Sequence, residues 1–347
     1  MKNNRNKILV YVFLSACIIL NGCSFQEAKV ETQQIAEQGL SLEKVVFDPD
    51  EYDEDRLFTI YKATDKTIES GAFAELFSAE PDVTDENGYI RLDVPSTGEY
   101  GYIVDGNICS CGYLTSVGME IISQAQTAVN AFGIEYLNDG NSFDFAGRTE
   151  VEENLNGILS ELGIGLCDYQ IYPFTEENFN EIREYYHTNL TGATKEEIRD
   201  PFSVYVESYY VHAQPVIDGI KLLDSVVGSP EKGNEIWGTT IDIQYSQDGI
   251  ETIHISNVYE ITEIISQNVP LIPCEEAALT AIGYLENLTL NEEACLISCE
   301  LAYAPVPNGI MHEDRTYDYY EMTPAWIFKN SSGMTICVNA VTGVRLG

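Results

Sequence analysis

The chain has 347 residues, with 18 Lys and Arg against 56 Asp and Glu, and a formal net charge of −38. A field of that sign repels phosphate backbones, which excludes nucleic acid and favours basic protein surfaces or divalent cations. The length suffices for two or three domains with sizeable cores.

The first 23 residues set an address. Lys2, Arg5 and Lys7 form a basic start, Ile8 to Leu20 an apolar run, and Leu20-Asn21-Gly22-Cys23 a small-residue junction ending in cysteine. This pattern predicts an export signal. The run is shorter than the roughly 17 to 25 residues that span a bilayer as a helix. The junction resembles the lipobox of bacterial lipoproteins, with Cys23 as the lipidated residue. That resemblance implies cleavage after residue 22 and an extracytoplasmic protein held on the membrane by acyl chains at Cys23. Removing Lys2, Arg5 and Lys7 with the signal leaves 15 basic residues against the same 56 acids.

Seven further cysteines would remain: Cys109, Cys111, Cys167, Cys274, Cys295, Cys299 and Cys337. An odd number cannot all pair within one chain, so free thiols are expected. Cys295 and Cys299 share a strand face but lie about 13 Å apart, too far to bridge each other.

Residues 23–46 are polar and predict a tether; three α+β regions are expected beyond it, over 47–145, 146–266 and 267–347. The acid cluster Asp48-Pro49-Asp50-Glu51-Tyr52-Asp53-Glu54-Asp55 lacks the glycine of a calcium-binding EF-hand loop and reads as a solvated linker. Asn87-Gly88 predicts a tight hairpin turn, because both central residues of such a turn take positive φ. Strand character follows over Tyr100 to Tyr113, and helical spacing from Leu114 to Phe132. Thr149 with Glu152 matches a capping box for a helix burying Val151, Leu155, Ile158, Leu159 and Leu162. A strand over Leu166 to Phe174 and a helix capped by Thr175 come next. Phe202 to Ala213 is β-rich and turns at Asp218-Gly219. Ile241, Ile243 and Tyr245 alternate with polar residues, turn at Asp248-Gly249, and return through Ile253 and Ile255. Beyond Pro270 and Pro273, a helix over Cys274 to Leu288 precedes strands over Ala294 to Val306, Met322 to Phe328 and Met334 to Ala340. The expected fold class is α+β, with antiparallel sheets each covered by helices.

The C-terminal order carries a resemblance. A helix opening Pro-x-Glu-Glu-Ala, a long strand, Thr323-Pro324-Ala325-Trp326-Ile327-Phe328 and then Val338-Asn339-Ala340-Val341-Thr342-Gly343 resembles the PepSY-type fold and the membrane-proximal YycH and YycI regulators. Tyr209 to Leu223 is similar to the matching strand and turn of such modules, and the whole chain resembles uncharacterised Gram-positive lipoproteins. The resemblance implies a module that binds or regulates another cell-envelope protein and carries no catalytic group.

The chemistry-bearing residues agree with that expectation. His187, His212, His254 and His312 are dispersed, with no His-Glu-x-x-His pair, and read as surface or half-buried rings. Cys109-Ser110-Cys111 could hold a soft metal or form a redox pair, but alternate cysteines on a strand also serve as small hydrophobes. Ser41-Leu42-Glu43-Lys44 and Ser229-Pro230-Glu231-Lys232 match Ser-x-x-Lys without its companion motifs. Glu275-Glu276 and Glu292-Glu293 are adjacent acids, and on a helix neighbours diverge by about 100°, so neither pair can flank a bond. No enzyme, metal or cofactor is therefore expected. Tyr317, Tyr319 and Tyr320 form the expected partner-binding patch, since aromatics in an acidic setting anchor interfaces; Trp326 reads as core. A ligand-sensing lipoprotein and a hydrolase with a dispersed site are the alternatives.

Overall fold

The computed structural model describes residues 45, 56–104, 110–115, 118, 124–125, 128–129, 137, 142–189, 204–228, 235–288, 295–312 and 317–347. Cys23 and nearly all of the expected tether, the acid cluster, Cys109, most of the helix expected from Leu114 to Phe132, Glu292-Glu293 and both Ser-x-x-Lys matches lie outside these residues.

The fold is α+β and mostly strand, built on two antiparallel sheets. The larger sheet has nine strands. Its path runs β2 (Asp82–Glu86), β3 (Tyr89–Val94), β4 (Glu99–Val104), β5 (Ser110–Leu114), β12 (Gly249–Ser256), β11 (Thr240–Ser246), β7 (Ser208–Ile217) and β6 (Cys167–Phe174), and β8 (Ile220–Lys221) pairs with β7. The turns expected at its hairpins form. Asn87 and Gly88 take φ of 57° and 82°, and Asp218 and Gly219 take 52° and 77°, the left-handed values a two-residue turn requires.

Alternation decides the faces of this sheet. Val211, Ile241, Ile243, Ile253, Ile255, Leu92 and Ile103 point to one side and pack against α2 (Arg148–Glu161) through Val151, Leu155 and Leu159. Each such side chain, fully buried, contributes about 1.5–3 kcal/mol. The capping box expected at Thr149 does not form. The helix begins at Arg148 with Gly147 as its N-cap and no side-chain cap, so Thr149 already lies inside the first turn. Thr175 does cap α3 (Glu176–Asn189): its hydroxyl accepts from the Asn178 amide at 3.2 Å, and the Asn178 carboxamide accepts from the Thr175 amide at 3.0 Å. α3 covers the opposite face at the β6–β7 end, where Phe179 and Ile182 meet Phe174 and Tyr210.

The second sheet has six strands in the order β13 (Tyr259–Val269), β1 (Phe58–Asp65), β15 (Tyr317–Asn330), β16 (Thr335–Asn339) and β17 (Arg345–Leu346), with β14 (Leu296–Met311) also on β15. β15 is its axis. One edge pairs with β14 along nearly its whole length, and the other is shared between β1 at Tyr320 to Met322 and β16 from Ala325 onward. Strands from all three expected regions thus meet here. α4 (Cys274–Glu286) follows a proline N-cap and lays Ala277, Ala278, Ala281, Ile282 and Leu285 on Trp326, Phe328 and Val338. Its first turn carries Glu275 and Glu276, as the helix dipole favours. The opposite face, at Ala302, Ala304, Ala325, Ile327 and Cys337, packs on a short pair, β9 (Val226–Val227) and β10 (Ile236–Trp237). A fourth, five-residue helix, α1 (Ser70–Ala74), buries Phe73.

The two sheets are joined by the segment after β8. The Leu223 amide donates to the Tyr303 carbonyl on β14 at 2.9 Å, and the Thr239 amide donates back to the Leu223 carbonyl at 2.8 Å.

Candidate functional site

On the side of the large sheet away from α2, register sets Gln170, His212, Asp242, His254, Gly112 and Tyr102 in one row across six strands. Gly112 is required: a Cβ there would lie 2.6 Å from the Tyr102 ring, which crosses over it to bring its hydroxyl 3.2 Å from His254 Nδ1. At the other end of the row, His212 lies between two carboxylates. Its Nδ1 is 2.9 Å from Asp242 Oδ1 and its Nε2 is 3.1 Å from Asp224 Oδ2. Tyr210 donates to the same Asp242 oxygen at 2.8 Å.

The electrostatics follow from this geometry. Burial opposes a charge on His212, but the two carboxylates outweigh it and raise its pKa to about 9, so the ring is an imidazolium at neutral pH. Burial likewise opposes the charge of Asp224, and the His212 hydrogen bond overcomes it, holding the acid below its ordinary range. Glu300 on β14, nearby, is pushed up by burial and by the Asp224 charge. His254 has no such carboxylate bond; burial lowers its pKa and Asp242 only partly offsets this. An imidazolium donating from both nitrogens has no lone pair to take a proton, so His212 cannot act as a general base. What it does is clamp β7 and β11 to Asp224, in the segment that joins the two sheets.

The second surface lies on the other sheet. β13 pairs only with β1 among the described strands, so its outer edge presents unpaired backbone groups. Residues 260–265 of β13 are all exposed, with Ile261, Ile264 and Ile265 at 41–49 %. Glu260 and Glu263 stand among them. On the inner side of β13, the Lys62 ammonium of β1 lies 4.9 Å from the centre of the Tyr319 ring on β15 and 3.8 Å from Glu263.

The three tyrosines expected to form one patch are divided by the pleat. Tyr319 is half-buried on the Lys62 side. Tyr320, the next residue, points into the core: it is 4 % exposed, its hydroxyl donates to Asp65 at 3.1 Å, and its ring meets Tyr259 edge-on. Tyr317 is half-buried and packs edge-on against Tyr320. Trp326 is core, as expected, with its indole N–H donating to the Ile272 carbonyl at 3.1 Å. His187 and His312 are exposed, and His312 contacts Asp318 at 3.1 Å. Cys111 lies on β5, opposite Ile103 and Ile255. Cys167, Cys274, Cys295, Cys299 and Cys337 are thiols, and burial pushes those of Cys167 and Cys337 up to about 12. Among the described residues no group of three or more His, Cys, Asp or Glu is placed to hold a metal ion, and no helix is long and apolar enough to cross a membrane.

Sequence reasoning missed β13 as a strand and Asp224 as a partner of His212. The β-branched content of Glu260-Ile261-Thr262-Glu263-Ile264-Ile265 was a usable signal for the strand; nothing local marks Asp224.

No family model matches the chain, and no curated protein matches it. Among solved structures, the chain is similar to the crystal structure of an uncharacterised protein from Eubacterium rectale, with a TM-score of 0.60 and 14% identity, covering 84% of this chain and 86% of that one. At that identity the likeness is one of fold, extending over most of both chains.

Proposed function

We propose that this chain is a lipoprotein anchored at Cys23 on the extracytoplasmic face of the membrane, non-enzymatic, which binds or regulates another protein of the cell envelope. The N-terminal basic, apolar and Leu-Asn-Gly-Cys pattern supports the address. The resemblance of its C-terminal helix and three strands to PepSY-type and YycH or YycI modules supports a regulatory interaction.

The observation that carries the reading is the open edge of β13. An edge strand with apolar side chains and unpaired backbone groups is a template for an added strand. Glu260 and Glu263, on a chain of net charge −38, select an extended partner segment with basic side chains and disfavour a second copy of the same chain. Tyr319 stands further in, on β15 across β1, as an aromatic contact for side chains of the incoming segment that reach over the sheet face.

The test is crosslinking capture of the intact lipoprotein in its native membrane, comparing the parent with Ile264→Lys and with Tyr319→Ala. A specific envelope protein recovered with the parent and lost with Ile264→Lys, at unchanged thermal midpoint, supports the reading. Equal recovery by all three chains removes β13 and Tyr319 from the interface.

A further inference from the structure

Cys274 is the first residue of α4, and Cys299 lies on β14 beneath it; their Sγ atoms are 3.4 Å apart. A disulfide needs about 2.05 Å between sulfurs. The remaining approach, about 1.4 Å, lies within the reach of modest side-chain rotation on an unchanged backbone. The two thiols differ in access. Cys274 is 1 % exposed, in the cluster with Trp326 and Phe328, whereas Cys299 is only partly buried at its margin.

Cys337, Cys167 and Cys295 lie elsewhere in the fold. Cys337 packs on the opposite face of the same sheet, with Ala302 and Ile327. Cys167 is on β6 of the larger sheet, and Cys295 precedes β14, where its amide donates to the Ser331 hydroxyl at 3.2 Å.

We propose that Cys274 and Cys299 form a disulfide that pins the start of α4 to β14. The oxidant is the disulfide of a thiol-exchange partner, protein or small molecule, in the compartment where the chain works. Cys299, the more accessible thiol, loses its proton and attacks one sulfur of that disulfide, which expels the first partner thiolate and leaves a mixed disulfide. Cys274 then loses its proton and attacks Cys299 Sγ, expelling the second partner thiolate. Each departing thiolate takes up one proton. The protein loses two electrons and two protons, and the partner disulfide is reduced to two thiols.

This proposal stands independently of the binding surface, since it rests on α4 and β14 and not on β13. It is tested on the full chain in detergent, equilibrated with reduced or oxidised glutathione, alkylated, and cleaved after glutamate without reduction. Cleavage at Glu263, Glu275, Glu293 and Glu300 releases 264–275, carrying Cys274, and 294–300, carrying Cys295 and Cys299. Trypsin would leave all three in one peptide, because no Lys or Arg lies between Lys232 and Arg315. The expected result in oxidised glutathione is a linked pair of these peptides with Cys295 alkylated and two fewer free thiols per chain. A Cys295→Ser chain should keep the link and Cys299→Ser should abolish it. Reduction should lower the thermal midpoint of the parent by several degrees and leave that of Cys299→Ser unmoved. Alkylation of both Cys274 and Cys299 in the folded chain after oxidised glutathione, or a link that survives Cys299→Ser, would overturn the assignment.

Discussion

His212 offers a pH-dependent test of how the two sheets are held together. Its ordinary pKa of 6.5 is raised to about 9 in the folded chain. A raised pKa means that folding favours the protonated ring, so the contribution is fully present below pH 6.5 and is lost as pH rises through about 9. At about 1.4 kcal/mol per pH unit, the gap corresponds to ~3 kcal/mol. The side chain is 12 % exposed, so solvent screening takes little from this figure. The depressed pKa of Asp224 is the same interaction seen from the acid. It is lost only in acid, as pH falls through the folded value of that carboxyl, and is not added. The perturbation is His212→Gln, which keeps a polar side chain of similar size but cannot carry the charge. Urea unfolding at pH 6 and pH 9.5 gives the stability of both chains. Titrating groups that do not face His212 act on both chains alike and cancel in the difference. The parent should lose ~3 kcal/mol more than His212→Gln between the two pH values, and the variant should be the weaker at pH 6, where two carboxylates face an uncharged neighbour. Parallel pH profiles would refute the imidazolium clamp.

Tyr320→Phe removes the hydrogen bond to Asp65 and should cost about 1 kcal/mol, Tyr320→Ala should cost about 3–5 kcal/mol, and Tyr319→Ala less than about 1 kcal/mol, as read by chemical denaturation. Gly238→Ala would put a Cβ 2.3 Å from the Leu223 carbonyl oxygen and 2.7 Å from the Ser225 amide nitrogen. Because both are backbone, the segment itself must move, breaking the Gly238-to-Ser225 and Thr239-to-Leu223 hydrogen bonds, and a loss of about 2–3 kcal/mol is expected. Cys23→Ser should release the chain from membranes and abolish acyl labelling; firm membrane retention without label would contradict lipid anchoring at that residue.

What could be read in the sequence was local. Asn87-Gly88 and Asp218-Gly219 specify turns whatever surrounds them, and the alternation of Ile241, Ile243 and Tyr245 against Ile253 and Ile255 is complete within one hairpin. α4 carries its own apolar stripe between prolines and polar residues. β1 was not legible because its identity as a strand depends on distant partners, about 200 residues away at Ile261 and Glu263 on one side and about 260 away at Tyr320 to Met322 on the other. The same dependence explains the tyrosines. Successive residues of a strand face opposite ways, and without knowing which face is covered Tyr319 and Tyr320 look alike. Thr149 had the right spacing for a capping box, but Gly147 adopts the extended N-cap conformation two residues earlier and the helix starts there. His212 was expected as a surface or half-buried ring, yet its charge comes from Asp242 together with Asp224, which only the joining segment delivers.

The place of β1 bears on how the C-terminal unit should be probed. Residues 267–347 look separable in sequence, with prolines before them and a helix and three strands after. Yet β15 shares its edge between β16 and β1, and β13 reaches β15 only through β1. Deleting 267–347 would strip β1 of one partner, remove Tyr303 and Met322, and expose Ala63 and Leu222, which pack with them. Loss of partner capture after such a deletion would therefore report an unfolded β1–β13 ribbon as readily as a missing interface. Substitutions at Ile264 and Tyr319 avoid this, because both side chains lie outside the buried clusters. A charge at Ile264 opposes an added strand without removing any hydrogen bond between β1 and β13, so a change in capture at constant stability can come only from the surface itself.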